Sequence, residues 1–373
     1  MSAPAPTAAA RRHELRALTG MRGIAAWFVV LYHIRLSLDW LPPTLLAVFA
    51  KGYLAVDFFF LLSGFVIWLS WSARLRHGGV RAVPGFLWRR LARIWPLHIV
   101  VLGATLALVL ALAATGRHDA AHYPYAELPL HVLLMQTWGF TDHLAWNDPS
   151  WSISTEWAAY LLFPLVAFAL DWRRIPSLGV VAAIVGLLGL LHVAMAGSPT
   201  LGFEIWTYGL RRCLIEFAVG GALCSLWERW RDTPIVPALV AIGCTVVAYA
   251  AKLSGQPETL TVPAAFAAAL LALALTSGLR GNPLEIPALH YLGEISYATY
   301  LSHFLLFVIF KLALLDDVHS IAPVLVALYL ALVLGTSVAL HHLVERPAQS
   351  WMNQIPARLR RAGISGQASS SSS

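Results

Sequence analysis

Ten apolar runs, most of them close to twenty residues long and separated by short polar stretches, constrain this chain more than any other feature. A bilayer's hydrocarbon layer is about 30 Å thick and takes about twenty helical residues to cross, and only segments that satisfy their own backbone groups cross it. The expected fold is therefore all-α, a polytopic membrane helix bundle of about ten transmembrane helices. The runs cover residues 21–40, 52–71, 97–115, 156–170, 176–196, 208–227, 235–251, 261–278, 296–315 and 321–341. With 58% of its 373 residues apolar, 12% charged and a mean hydropathy of +0.68, the chain has too little polar surface for soluble domains.

Charge gives the orientation. Arg11, Arg12 and Arg16 precede the first run, and the segment 72–96 carries Arg74, Arg76, Arg81, Arg89, Arg90 and Arg93 as an arginine-rich loop. If the runs alternate, roughly eighteen of the 26 Lys and Arg fall on one side, which by the positive-inside rule is the cytoplasm and holds both termini. The net charge of +7 thus reflects topology and gives no reason to expect a nucleic-acid partner. Arg211 and Arg212, at the outer end of the sixth run, are the exception.

Residues 1–18 read as a disordered basic tail, 19–347 as the membrane domain, and 348–373 as a serine-rich, disordered cytoplasmic tail. The first run is too long for a signal peptide and lacks a cleavage pattern, so it is expected to remain as a helix. Cys213, Cys224 and Cys244 are odd in number and show no CxxC spacing, so they support neither a disulfide framework nor a zinc site. No internal repeat is visible, which removes the usual signature of a secondary transporter.

Ionisable residues inside apolar runs are costly, and a functional site is the default reading for them. Arg22 and His33 are eleven residues apart, which places them on one helical face at two depths, about 16 Å apart along the axis. Asp57 enters the second run at a depth similar to His33, so the two are expected to meet, the carboxylate orienting the imidazole as a general base. Arg90 and Arg93 share a face if helical, and with Arg22 they suit the phosphates of a donor molecule. Near the outer mouth, WNDPSWSISTEW carries Trp151, Ser152 and Glu156, with the carboxylate placed to orient a hydroxyl acceptor or to cap a helix. His303, Glu216 and Glu345 are further polar residues in or beside apolar runs, and interhelical hydrogen bonds account for the two glutamates.

Taken in order, RGIAAWFVVLYH, GYLAVDFFFLLSGFVI, RRLARIWP, PSWSISTEWAAYLLFP, LGEISYATYLSH and VERP resemble the acyltransferase family 3 of integral-membrane acyltransferases, over about residues 15–351. The resemblance implies transfer of an acyl group, often acetyl, from acyl-CoA to a hydroxyl of a cell-surface polysaccharide, lipid-linked glycan or related glycoside, at the bacterial inner membrane. It implies that His33 is catalytic with Arg22 as its paired arginine, that Arg90 and Arg93 serve the acyl-CoA donor, and that Asp57 and Glu156 are motif acidic residues. On this reading Asp57 and Glu156 are expected to join His33 in catalysis, Arg22 to join Arg90 and Arg93 at the donor, and Ser152, Trp151 and His303 to line the acceptor side. Membrane lipids, a glycan or glycolipid acceptor and polysaccharide-assembly proteins are the implied partners, with no metal. The extracytoplasmic hydrolase-like domain that some relatives carry is absent from this sequence, so transfer through a fused domain is not expected. The rival from another class is a proton-coupled transporter or glycan flippase using His33, Asp57 and Glu156 as a proton path. A serine carrier at Ser63, Ser152 or Ser154 lacks a GxSxG elbow, and a metal enzyme lacks ligand spacing.

Overall fold

A computed structural model describes residues 15–117, 119–195, 197–314 and 321–355, and every regular element among them is helical. The long helices are α1 (Arg16–Ile34), α2 (Ala55–Gly78), α3 (Val83–Ala114), α4 (Ser150–Ala169), α5 (Ser177–Ala194), α6 (Ile205–Trp230), α7 (Ile235–Leu253), α8 (Glu258–Thr276), α9 (Ser296–Leu314) and α10 (Pro323–Leu340). Eight helical stretches are long and apolar enough to cross a membrane, one of which, Pro43–Ala114, contains both α2 and α3. The remaining long helix, α6, falls outside that set by composition, because it carries Arg211, Arg212, Glu216, Glu228 and Arg229. The protein is thus a polytopic helical membrane bundle.

Several boundaries differ from the sequence expectation. Segment 72–96 is not a loop: α2 runs on to Gly78, Gly79 takes φ +59°, and α3 begins at Val83, so Arg89, Arg90 and Arg93 ride on a helix. Pro84 lies in the first turn of α3, where a missing N–H costs little. The expected N-terminal tail loses residues 16–18 to α1, and the expected C-terminal tail loses 348–355, because α10 continues through a π-helical turn at His341–Glu345 into helix as far as Ile355. Residues 1–14 and 356–373 of those two tails lie outside the described residues. The apolar piece HVLLMQTWGF does not cross; its neighbourhood holds a short helix, Leu128–Val132, followed by turns.

The centre of the bundle is the crossing of α2 and α6, built on two glycines. A Cβ on Gly64 would stand 1.9 Å from the Phe217 carbonyl oxygen, and one on Gly220 would stand 2.0 Å from that of Leu61. Without side chains at these positions the two backbones touch, as small residues permit between membrane helices. Phe65, Trp68, Phe163 and Trp227 fill the space around the contact with edge-to-face ring pairs. In contrast α7 buries only Ala238 and Ala241 and shows Ile235, Val236, Leu239, Val240, Val246 and Val247 outward, as a helix at the lipid boundary does.

Candidate functional site

The arginines expected to act together do meet. Arg22 from α1 and Arg90 and Arg93 from α3 line a cavity of about 250 Å³, whose other walls include Ser63 of α2, Ser152, Glu156 and Tyr160 of α4, and Tyr297 and Tyr300 of α9. The helical form of 83–96 makes this possible, since Arg90 and Arg93 stand three residues apart on one face.

The three guanidiniums are committed to different degrees. Arg93 is ion-paired with Glu345 in the π-helical turn, whose other oxygen lies 3.1 Å from His341 Nδ1. Arg22 gives Nε and Nη2 to the Gly293 carbonyl at 3.0 and 2.6 Å. Arg90 keeps a buried Nε that makes no hydrogen bond, so it has donors to spare for an anion. Facing them, one Glu156 oxygen accepts from the hydroxyls of both Ser63 and Tyr160. Ser152 Oγ is 2.8 Å from the Tyr300 hydroxyl and donates to the Pro149 carbonyl at 3.2 Å. Ser152 therefore caps nothing; it ties α4 to α9.

His33 does not line this cavity. Its Nδ1 lies 3.0 Å from the Val29 carbonyl oxygen of its own helix and 3.2 Å from Nε2 of His303, which is fully buried on α9. A carbonyl only accepts, so Nδ1 of His33 carries the hydrogen. His303 Nδ1 is likewise 3.1 Å from the Thr299 carbonyl, which leaves its Nε2 to accept from His33. In both rings the proton is fixed on Nδ1, and His33 Nε2 is left with the lone pair that a base or nucleophile needs. The Tyr300 ring, 6.1 Å from that of His303, joins this pair to the cavity.

Asp57 and Trp151 are elsewhere. The Asp57 carboxylate is fully buried and receives Nε and Nη2 of Arg212 at 2.5 and 2.6 Å, so it orients a guanidinium and not His33. Equal depth on neighbouring helices fixes only the coordinate along the axis; Asp57 is turned toward α6, away from α1. Trp151 lies beneath the Arg212 guanidinium at 5.6 Å and packs against Gly209, outside the arginine cavity. Glu216, one turn beyond Arg212, is fully buried beside the same Asp57–Arg212 pair.

The sequence reading missed Tyr160, Tyr297 and Tyr300 as cavity residues, although their spacings were informative. Tyr160 follows Glu156 by four residues, and Tyr300 precedes His303 by three, both on-face separations in a helix. Arg212 was visible as a cation without a topological reason, and a buried carboxylate is the partner such a residue requires. Among the described residues no group of histidine, cysteine or carboxylate side chains is arranged to hold a metal ion.

A family model described as an acyltransferase domain matches residues 15–342. The acyltransferase MdmB of Streptomyces mycarofaciens is 32% identical over 78% of this chain and 79% of its own length. The exopolysaccharide production protein ExoZ of Rhizobium meliloti is 26% identical over 86% of this chain and 96% of its own. The peptidoglycan O-acetyltransferase OatA of Listeria monocytogenes is 25% identical over 61% of this chain and 36% of its own. No solved structure matches.

Proposed function

We propose, from the premise that this chain belongs to the membrane acyltransferase family whose model spans it, that it transfers an acetyl or similarly short acyl group from acyl-CoA to a glycan hydroxyl. The acceptor class is a cell-surface polysaccharide, a lipid-linked glycan or a related glycoside, and the place is the bacterial inner membrane. One observation carries this reading: three guanidiniums and a hydroxyl-held carboxylate share a cavity one side-chain layer from an imidazole with a defined lone pair. Relatives named for O-acetyl transfer to peptidoglycan and for exopolysaccharide production support the acyl group and the acceptor class.

The cavity's size bears on how the donor sits. At about 250 Å³ it falls just below the span of about 300–1,000 Å³ usual for sites that enclose a whole drug-sized ligand, so it takes the thioester end while the nucleotide stays at the mouth. Arg90 supplies the charge-assisted donors for the phosphates, with Arg22 and Arg93 held beside it by Gly293 and Glu345. His33 Nε2 takes the proton of the acceptor hydroxyl as its oxygen forms the ester bond, and the same proton goes to the departing thiolate sulfur. Atoms balance as ester plus free thiol, and His33 is left as it began.

The test is transfer from acyl-CoA by protein reconstituted in lipid, read together with mass analysis of surface glycans from cells carrying each variant. His33→Ala is expected to lower turnover by at least ~10²-fold, the usual worth of a positioned base, in protein that stays folded in the membrane. Arg90→Gln is expected to raise the donor KM by about tenfold or more, the loss of one charge-assisted contact. Substantial turnover in folded His33→Ala protein would remove the assignment.

A further inference from the structure

A second hollow in the bundle has almost no polar wall. It lies between α4, α5 and α6 above α2, holds about 540 Å³, and is lined by Trp68, Phe163, Gly186, Leu190 and Phe217 with other apolar residues. Leu162, Val166 and Leu190 at its rim are exposed on the outside of the bundle, which puts its opening against lipid. Apolar cavities stay dry, so the natural filling of such a groove is a hydrocarbon chain.

One end of the groove indicates what the chain is attached to. Leu170 and Trp172 line that end, and four arginines surround them. Arg76 reaches the Ala167 and Leu170 carbonyls at 3.4 Å and stands 5.3 Å over the Trp68 ring, and Arg229 donates to the Trp172 carbonyl at 2.8 Å. Arg173 is paired with Glu228, while Arg76 at 3.5 Å and Arg174, with a side chain 88% exposed, at 3.6 Å share the single carboxylate of Asp171. Four guanidiniums against the two carboxylates of Asp171 and Glu228 leave this end with two surplus positive charges. Basic pockets of this kind between membrane helices suit anionic lipid head groups.

We propose that the groove seats an acyl chain of an anionic phospholipid, whose phosphate is taken at the α4–α5 turn by Arg174 and Arg76. The seat lies one layer from the arginine cavity. Tyr160, which donates to Glu156 there, packs its ring on Phe217 at 6.2 Å, and Phe217 and Phe163 form the groove wall. A chain in the groove presses these rings against Tyr160, so the lipid supports the wall of the site from behind.

Gly186 offers a direct test. It lines the groove, and a Cβ built on it meets nothing within 4 Å, so Gly186→Phe fills the space without moving a backbone. Gly189 on the same helix is equally open and does not line the groove, which makes Gly189→Phe the control. Protein is reconstituted in phosphatidylcholine nanodiscs with or without phosphatidylglycerol, stripped with detergent, and the lipid retained is counted by native mass spectrometry. Wild type and Gly189→Phe are expected to retain one phosphatidylglycerol, and Gly186→Phe to lose at least about tenfold of that retention. Arg174→Gln together with Arg76→Gln is expected to abolish the preference for phosphatidylglycerol over phosphatidylcholine. Equal retention by Gly186→Phe, or equal retention of both lipids by wild type, would overturn the proposal and leave an ordinary lipid-facing crevice.

Discussion

The role proposed for His33 turns on which neighbour touches it. A carboxylate partner would hold the ring and stabilise its charged form; the structure supplies instead the Nε2 of His303 and the Val29 carbonyl. This difference separates two variants that a depth argument treats as equivalent. Asp57→Asn weakens the pairing of a fully buried Arg212, a defect worth about 3–5 kcal/mol where one partner of a buried pair is removed. Its expected result is a lower thermal midpoint with the pH–rate profile of the remaining activity in place. His303→Leu removes an acceptor from the ring proposed as the base, and is expected to move that profile at smaller cost to stability. Measuring thermal midpoints and pH profiles on both variants checks the assignment, and a moved profile in Asp57→Asn would return the carboxylate to His33.

Among elements, the α2–α6 crossing sets the geometry of the rest. Ser63 precedes Gly64, so the glycine that lets α6 approach also places the hydroxyl that holds Glu156. Gly220→Ala puts a methyl 2.0 Å from a carbonyl oxygen that cannot swing away, and overpacking of this kind costs about 1–3 kcal/mol or more. The expected outcome is a marked loss of folded yield in detergent, whereas Gly103→Ala, where a Cβ meets nothing, leaves yield unchanged; fluorescence-detected size-exclusion chromatography reads both. The runs that form these helices were legible because a bilayer demands length and apolarity, quantities a sequence displays directly. The start of α3 was not legible, because Arg89, Arg90 and Arg93 look like loop charges until their three- and four-residue spacings are seen as one helical face around a cavity. The rotation of each helix about its axis was equally hidden. That is why Arg22, Arg90 and Arg93 were grouped from their chemistry as the cavity groups them, while Glu156, expected apart from them at the outer mouth, faces them, and Asp57 is turned from His33 to Arg212.

For the molecule as a whole, the question is whether α6 crosses the membrane despite its charges. A lone charge at mid-helix costs about 2.5–3.5 kcal/mol on insertion scales, enough that five would keep a segment out. Few of the five are alone. Arg212 is paired with Asp57 and also donates to the Leu201 carbonyl at 2.7 Å, and Glu228 binds Arg173 at 2.6 and 2.8 Å. Arg229 is satisfied by the Trp172 carbonyl and the Ser177 hydroxyl, and Arg211 lies 5.8 Å over the Tyr208 ring. Such pairing answers most of the cost, and the 26-residue length of α6 lets Glu228 and Arg229 sit at its end. If α6 crosses, the ten long helices make an even number of crossings and the two termini lie on one side, the cytoplasm by the arginine count; if it does not, they lie on opposite sides. Fusions of a fluorescent protein that matures only in the cytoplasm, and of a phosphatase active only outside it, are expected to report fluorescence and no phosphatase activity at both ends. Phosphatase activity at one end alone would remove α6 from the membrane, and with it the burial that makes Asp57 and Arg212 a pair.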